Sequence, residues 1–68
     1  METGKVTKIV KERGFGFIRA DGSGKDFFFH RTGMLTPTLF EQLVNGQRVE
    51  FLPNASEKGW RAEDVTVV

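Results

Sequence analysis

Residues 13–20 read RGFGFIRA, residues 26–30 read DFFFH, and the two stretches are separated by the polar residues DGSGK. Because side chains alternate between the two sides of a strand, the first stretch has two different faces. One face carries two rings and a cation, at Phe15, Phe17 and Arg19. The other carries small or aliphatic side chains, at Gly16, Ile18 and Ala20. Alternation alone does not decide which face is buried.

The polar residues between the two stretches are typical of a hairpin turn, because Asp and Gly favour the backbone conformations of tight turns. A two-residue turn at residues 22–23 places Phe17 opposite Phe28. The same turn places Phe15 opposite His30. All four rings would then share one face of the hairpin.

A charged pair indicates which face of this hairpin meets solvent. The same pairing sets Arg19 opposite Asp26 beside the rings, and charged side chains are rarely buried. We therefore expect the ring-bearing face to be exposed. The opposite face is expected to build the core with residues from other strands, and the predicted core residues are Val6, Ile18, Phe27, Phe29, Val49 and Phe51.

The rest of the chain divides into short segments at its Gly and Pro residues. Strand-like composition is found at residues 5–11, 15–20, 26–30, 48–52 and 60–67. A polar loop is expected at residues 53–59. Short strands separated by turns predict an all-β fold, either a small barrel or a sandwich.

Residues 36–46 differ from the rest, because apolar residues recur there at helical intervals and Asn45-Gly46 is a typical helix end. The helix start has two alternatives. One is a capping box from Thr38 to Glu41, and the other is Thr36 as the N-cap with Pro37 at the first helical position. A short helix or 3₁₀ segment is therefore expected between the third and fourth strands.

The chain is 68 residues long and contains no Cys. This length allows a single domain, residues 1–68, and the lack of Cys excludes disulfides, thiolate metal sites and a cysteine nucleophile. No catalytic or metal-binding set stands out, so we expect no enzyme, no cofactor and no small-molecule substrate. The absence of a signal-peptide pattern and of a long apolar run predicts a cytoplasmic protein without membrane contact.

The net charge of +1 hides an uneven distribution. Residues 1–31 contain seven basic and four acidic residues, whereas residues 32–68 contain three basic and five acidic residues. Cations flank the predicted ring face at Lys5, Lys8, Lys11, Arg13, Lys25 and Arg31. Rings on which bases stack, with cations for phosphates, suit single-stranded nucleic acid. The alternative is ordinary solvated charge.

The two ring-bearing stretches also resemble motifs of a known family. Residues 13–18, RGFGFI, resemble the first RNA-binding motif of the bacterial cold-shock proteins, KGFGFI, and residues 27–30, FFFH, resemble the second, VFVH. Further similarity at residues 4–6, 40–51 and 58–66 extends the resemblance over nearly the whole chain.

This resemblance implies a five-stranded antiparallel OB-fold barrel that binds single-stranded RNA and DNA with little sequence preference. It also implies an RNA chaperone that affects transcription or translation in the cold-shock response. Phe15, Phe17, Phe28 and His30 match the family's stacking positions, and Phe40 matches another on the long loop. The remaining candidates for the nucleic-acid interface are Lys5, Lys8, Lys11, Arg13, Arg19, Asp26, Arg31, Trp60 and Arg61.

The sequence departs from the family pattern at several positions. Lys8 replaces a Trp of the first strand, Ile9 replaces the aromatic residue after it, and Arg31 replaces the Phe after the motif histidine. Arg31 can stack through its planar guanidinium, whereas Lys8 can meet phosphate but stacks poorly. Trp60, where the family often has Pro, is a candidate replacement platform. We therefore expect fewer stacked bases and a steeper salt dependence than in a typical member.

Other interpretations stay open at this point. The ring face could be a docking patch of a protein-interaction OB module, or the chain could be a fragment of a larger nucleic-acid-binding protein. Phe40 could be the inward side chain of the short helix, His30 a packed edge ring, and Trp60 a cover for the barrel end. We expect a monomer, although small barrels can exchange or pair strands.

Overall fold

The hairpin predicted from the two ring-bearing stretches lies in a small barrel. The computed structural model describes residues 1–57 and 59–68. Its strands are β1 (Glu2–Val10), β2 (Phe15–Ala20), β3 (Asp26–His30), β4 (Arg48–Ser56) and β5 (Gly59–Val67). Short 3₁₀ helices lie at Lys11–Arg13, Arg31–Gly33 and Pro37–Gln42.

The strands close into a barrel in the order β1-β2-β3-β5-β4. The pairings β1–β2, β2–β3, β1–β4 and β4–β5 are antiparallel. The pairing that closes the barrel joins β3 to β5 and is parallel, with Phe28 opposite Arg61. The predicted five-stranded OB-type barrel with a short helical segment between the third and fourth strands is confirmed.

The predicted register of the β2–β3 hairpin is also confirmed. Phe17 lies opposite Phe28 and Phe15 opposite His30. Arg19 lies opposite Asp26, and its Nε is 3.1 Å from the Asp26 Oδ1 in an exposed ion pair. The charged pair therefore marks the solvent side of the hairpin, as the sequence indicated.

The core is formed by the side chains on the opposite face. All the predicted core residues are at most 3% exposed, namely Val6, Ile18, Phe27, Phe29, Val49 and Phe51. Burial of each large apolar side chain contributes about 1.5–3 kcal/mol. Buried with them are Ala20, Met34, Phe40, Leu43, Ala62 and Val65.

Phe40 belongs to this core, and the structure corrects its assignment to the nucleic-acid interface. Its side chain is 0% exposed, and its ring centroid lies 6.0 Å from that of Phe29. The 3₁₀ helix begins with Thr36 as the N-cap and Pro37 in the first turn, so the capping box is not used. This helix turns Phe40 inward, where its ring fills the barrel and has no face left for a base.

The expectation of a polar loop at residues 53–59 is wrong, because β4 continues to Ser56. β4 pairs with β1 only from Arg48 to Phe51. Beyond that point it pairs with β5 alone, up to Ser56 opposite Gly59. Pro53 is tolerated in this strand because the segment has a partner on one side only. The β4–β5 hairpin therefore extends past the β1 contact.

Gly16 allows β1, β2 and the core to approach one another closely. It is buried on the core side of β2. A Cβ atom at this position would collide with the carbonyl oxygen of Lys8 and lie 2.9 Å from the Phe29 ring. No larger residue fits without a shift of the backbone.

We expect the substitution Gly16→Ala to lower the free energy of unfolding by about 1–3 kcal/mol, because the added methyl group overpacks the core. Gly22→Ala is the matched control, since a Cβ there meets nothing within 4 Å. Chemical denaturation of the two variants measures the difference. Equal stabilities would contradict this account of Gly16.

Candidate nucleic-acid interface

Phe15, Phe17 and Phe28 form one aromatic cluster on the outer face of β2 and β3. The ring centroids are 6.1 Å apart for Phe15 and Phe17, 5.5 Å for Phe15 and Phe28, and 6.0 Å for Phe17 and Phe28. All three rings are half-buried. Each ring therefore supports its neighbours, and part of each ring remains open to solvent.

A bulge in β1 brings Lys8 to this cluster. Val6 pairs with Ile18 but Lys8 pairs with Phe17, so Thr7 is an extra residue. A bulge of this kind reverses the alternation of side chains along the strand. Val6 and Ile9 consequently pack with the core, although they are three positions apart in the sequence. Lys8 lies on the outer face beside Phe17.

The pairings place a cation at each end of a row of rings. Lys8 is opposite Phe17, Phe17 is opposite Phe28, and Phe28 is opposite Arg61. The Cζ of Arg61 lies 5.4 Å from the centroid of the Phe28 ring, and its Nε is 3.2 Å from the Glu63 Oε1. This row crosses the barrel from β1 to β5.

His30 continues the ring face at the end of β3. Its side chain is half-buried, and its Nδ1 accepts a hydrogen bond of 3.2 Å from the backbone N–H of Thr32. The Thr32 Oγ1 lies 3.0 Å from the same nitrogen. These contacts cap the 3₁₀ helix Arg31–Gly33. They hold the imidazole in place next to Phe15, its partner in β2.

The predicted cations differ in their surroundings. Lys5, Lys8, Arg13 and Arg31 are exposed, and Lys5 lies opposite Arg19. The Nζ of Lys11 instead donates a hydrogen bond of 2.6 Å to the carbonyl oxygen of Glu41. Lys11 therefore fastens the helix Pro37–Gln42 to the end of β1.

Trp60 lies at the start of β5, next to the aromatic cluster but outside it. The residue is 43% exposed. Its centroid is 5.7 Å from that of Phe27, and the Nζ of Lys25 lies 4.3 Å from the indole centroid. Trp60 therefore covers one core ring and still presents aromatic surface to solvent.

Among residues 1–57 and 59–68, no group of three or more His, Cys, Asp or Glu side chains is placed to hold a metal ion. In the same residues, no helix is both long and apolar enough to cross a membrane.

Residues 2–68 match the model of a family described as "'Cold-shock' DNA-binding domain". This chain belongs to the cold-shock domain family. Cold-shock domains are nucleic-acid-binding modules and are not known as enzymes.

Curated relatives and a solved structure agree with this assignment. The cold-shock domain is 40% identical over 65 residues to the cold shock-like protein CspA of Stigmatella aurantiaca, covering 96% of this chain and 94% of the relative. It is 39% identical over 67 residues to the cold shock protein CapB of Pseudomonas syringae pv. tomato, covering 98% and 94%. The Drosophila structure named Unr CSD456 has a TM-score of 0.78 and 25% identity, and the match covers 98% of this chain and 26% of that one.

Two features of this cold-shock domain's surface were not predicted from the sequence. The sequence does contain a signal for the bulge at Thr7. Val6 and Ile9 are both apolar and are three positions apart, so they can face the core together only if the alternation of the strand is interrupted between them. The position of Lys25 against Trp60 had no such signal, since it depends on how the β2–β3 turn meets β5.

We expect Phe17→Ala to affect mainly binding and Phe40→Ala to affect mainly stability. Phe17→Ala removes a half-buried ring, so the loss should be about 1 kcal/mol, or about 4–8 °C in melting temperature. Phe40→Ala should cost about 3–5 kcal/mol because it empties part of the core. Thermal unfolding and oligo-dT titration measure the two effects, and binding should fall mainly in the Phe17 variant. A larger loss of stability at Phe17 than at Phe40 would reverse the assignment of the two faces.

Proposed function

We propose that this cold-shock domain binds single-stranded RNA and DNA through the aromatic cluster, with little sequence preference. The observation that carries the proposal is the group of three half-buried phenylalanine rings, within 6.1 Å of one another, on the solvent face of the barrel. A small domain gains more stability from burying such rings than from exposing them. Stacked bases would complete their burial, at about 1–3 kcal/mol for each base.

The low sequence preference follows from the type of contact. Stacking uses the flat face of a base, which every nucleobase has. Reading a sequence requires hydrogen bonds to base edges, and the cluster consists of phenylalanine rings without donors or acceptors. The Asp26 carboxylate at the edge of this face is paired with Arg19.

The cations around the cluster can neutralise the phosphates of a bound strand. Lys8, Arg13 and Arg31 are exposed near the rings, on β1 and on the 3₁₀ turns that flank the β2–β3 hairpin. Each phosphate that such a residue neutralises releases counterions, and affinity then falls as the salt concentration rises. Arg31 can also stack through its guanidinium plane.

An RNA chaperone role follows from the preference for single strands. A protein that binds the unpaired state shifts the equilibrium away from base-paired RNA by mass action. We propose that this domain melts RNA secondary structure in the cytoplasm and so affects transcription or translation in the cold-shock response. The barrel is closed, and the β4 segment that extends past the β1 contact contains Pro53, which disfavours pairing with another copy; both features support a monomer.

Single-stranded heptanucleotides should bind at low salt, with changes in Trp60 fluorescence and in the amide shifts of Phe15, Phe17 and Phe28. A duplex of the same sequence should bind much more weakly, because its bases are already stacked on each other. Fluorescence and two-dimensional NMR titrations measure both. If the amide shifts of this face do not change, a docking patch for another protein becomes the better interpretation.

Lys8→Gln should make the salt dependence of oligo-dT binding shallower, by about 0.7 in the slope of log K against log salt, because one phosphate contact is lost. Lys8→Trp should give the same slope but tighter binding at high salt, since a ring replaces the charge. Arg48→Gln is the control, because its Nη2 is 2.8 Å from the Asp21 Oδ2 and its charge is already paired. An affinity of the unmodified protein that hardly changes with salt would contradict the role of these cations.

A further inference from the structure

We propose that the groove between the aromatic cluster and the β4–β5 hairpin is a further nucleobase subsite, with Trp60 as its stacking platform. The groove has a volume of about 460 Å³ and is lined by Phe17, Phe28, Ser56, Gly59, Trp60 and Arg61. This volume lies in the range of about 300–1,000 Å³ that is usual for ligand sites. The inference rests on the proposed function, because the occupant is the next base of the same strand.

The groove is continuous with the proposed interface. Phe17 and Phe28 belong to the aromatic cluster and also form one wall of the groove. A strand whose base stacks on Phe28 is therefore already at the edge of the groove. The next nucleotide can enter it without leaving the protein surface.

The indole of Trp60 is held in position before a ligand arrives. Phe27 contacts it at a centroid distance of 5.7 Å and an interplanar angle of 63°, and the Lys25 ammonium lies 4.3 Å from its centroid. Lys25 does not line the groove. A platform whose orientation is already fixed loses little conformational entropy on binding.

Trp60 is also more exposed than a cover for the barrel end requires. Phe27 beneath it is only 3% exposed, yet 43% of Trp60 itself remains accessible. Part of Trp60 lines the groove, where its planar indole offers a surface on which a base can stack.

Arg61 lies between the two platforms and suits the phosphate that links their bases. It follows Trp60 in β5 and is opposite Phe28, with its Cζ 5.4 Å from that ring. Its Nε lies 3.2 Å from the Glu63 Oε1, and in this proposal the guanidinium meets the phosphate through its terminal nitrogens. The ligand class is therefore a nucleotide step, with one base on Phe28, the next on Trp60 and the phosphate near Arg61.

The test compares short and long oligo-dT of about four and about eight nucleotides, within the site sizes of OB folds. Trp60→Leu keeps an apolar cover over Phe27 but removes the aromatic face. We expect it to weaken binding of both oligonucleotides roughly 5- to 100-fold, because the step from Phe28 to Trp60 spans only two nucleotides. Trp60→Phe should recover most of the loss. Leu52→Ala, at a side chain with the same 43% exposure outside the groove, is the control and should change neither affinity.

Fluorescence measures occupation of the groove directly, because Trp60 is the single Trp of the chain. Both oligonucleotides should quench the indole. Unchanged affinity of Trp60→Leu for both lengths would overturn the subsite. In that case the proposed function still stands if Phe28→Ala weakens both lengths. If the unmodified protein binds neither oligonucleotide, both proposals fail.

Discussion

The register of the β2–β3 hairpin is the constraint on which the rest of the structure depends. This hairpin has large rings on both of its faces, so a shift of one residue would exchange the buried set for the exposed set. Phe27 and Phe29 fill the barrel only if Phe28 points outward between them. The ion pair of Arg19 and Asp26 fixes the same register from the outside, because neither charge is compatible with the core.

Two local irregularities adapt the neighbouring strand to this hairpin. Gly16 lets β1 come close to β2 above the Phe29 ring, and the bulge at Thr7 then resets the alternation along β1. Without the bulge, Lys8 would follow Val6 onto the core side, and a lysine cannot be buried there without a partner. The irregularity that keeps the core apolar is therefore the one that supplies a cation to the ring face.

Much of this arrangement could be predicted from the sequence, because cross-strand pairing in a hairpin fixes the side on which each residue lies once one pair is known. The pairing expected from a two-residue turn and the opposed charges were sufficient for the register and for the buried set that includes Ile18 and Phe29. The turn itself is longer than expected, because the Gly24 N–H donates a hydrogen bond to the Ala20 carbonyl oxygen across residues 21–23. Phe40 was harder, because a position on a short 3₁₀ helix does not follow the simple alternation of a strand. The length of β4 was missed because Pro53 is unfavourable in a strand paired on both sides, and one-sided pairing is a property of the tertiary structure.

The row from Lys8 to Arg61 shows how the stacking surface of this cold-shock domain is distributed. The resemblance to the family implies an aromatic platform on β1, and this chain has a lysine there. On the opposite side of the same barrel face, β5 carries Trp60 with its indole held against Phe27 and Lys25. Compared with the family pattern, this chain lacks rings at positions 8, 9 and 31 and has an additional ring at Trp60, so its aromatic surface is smaller on the β1 side and extends further towards β5. In the proposed complex, the bound strand would contact a cation, Lys8, at β1 and an additional stacking platform, Trp60, at the β4–β5 hairpin.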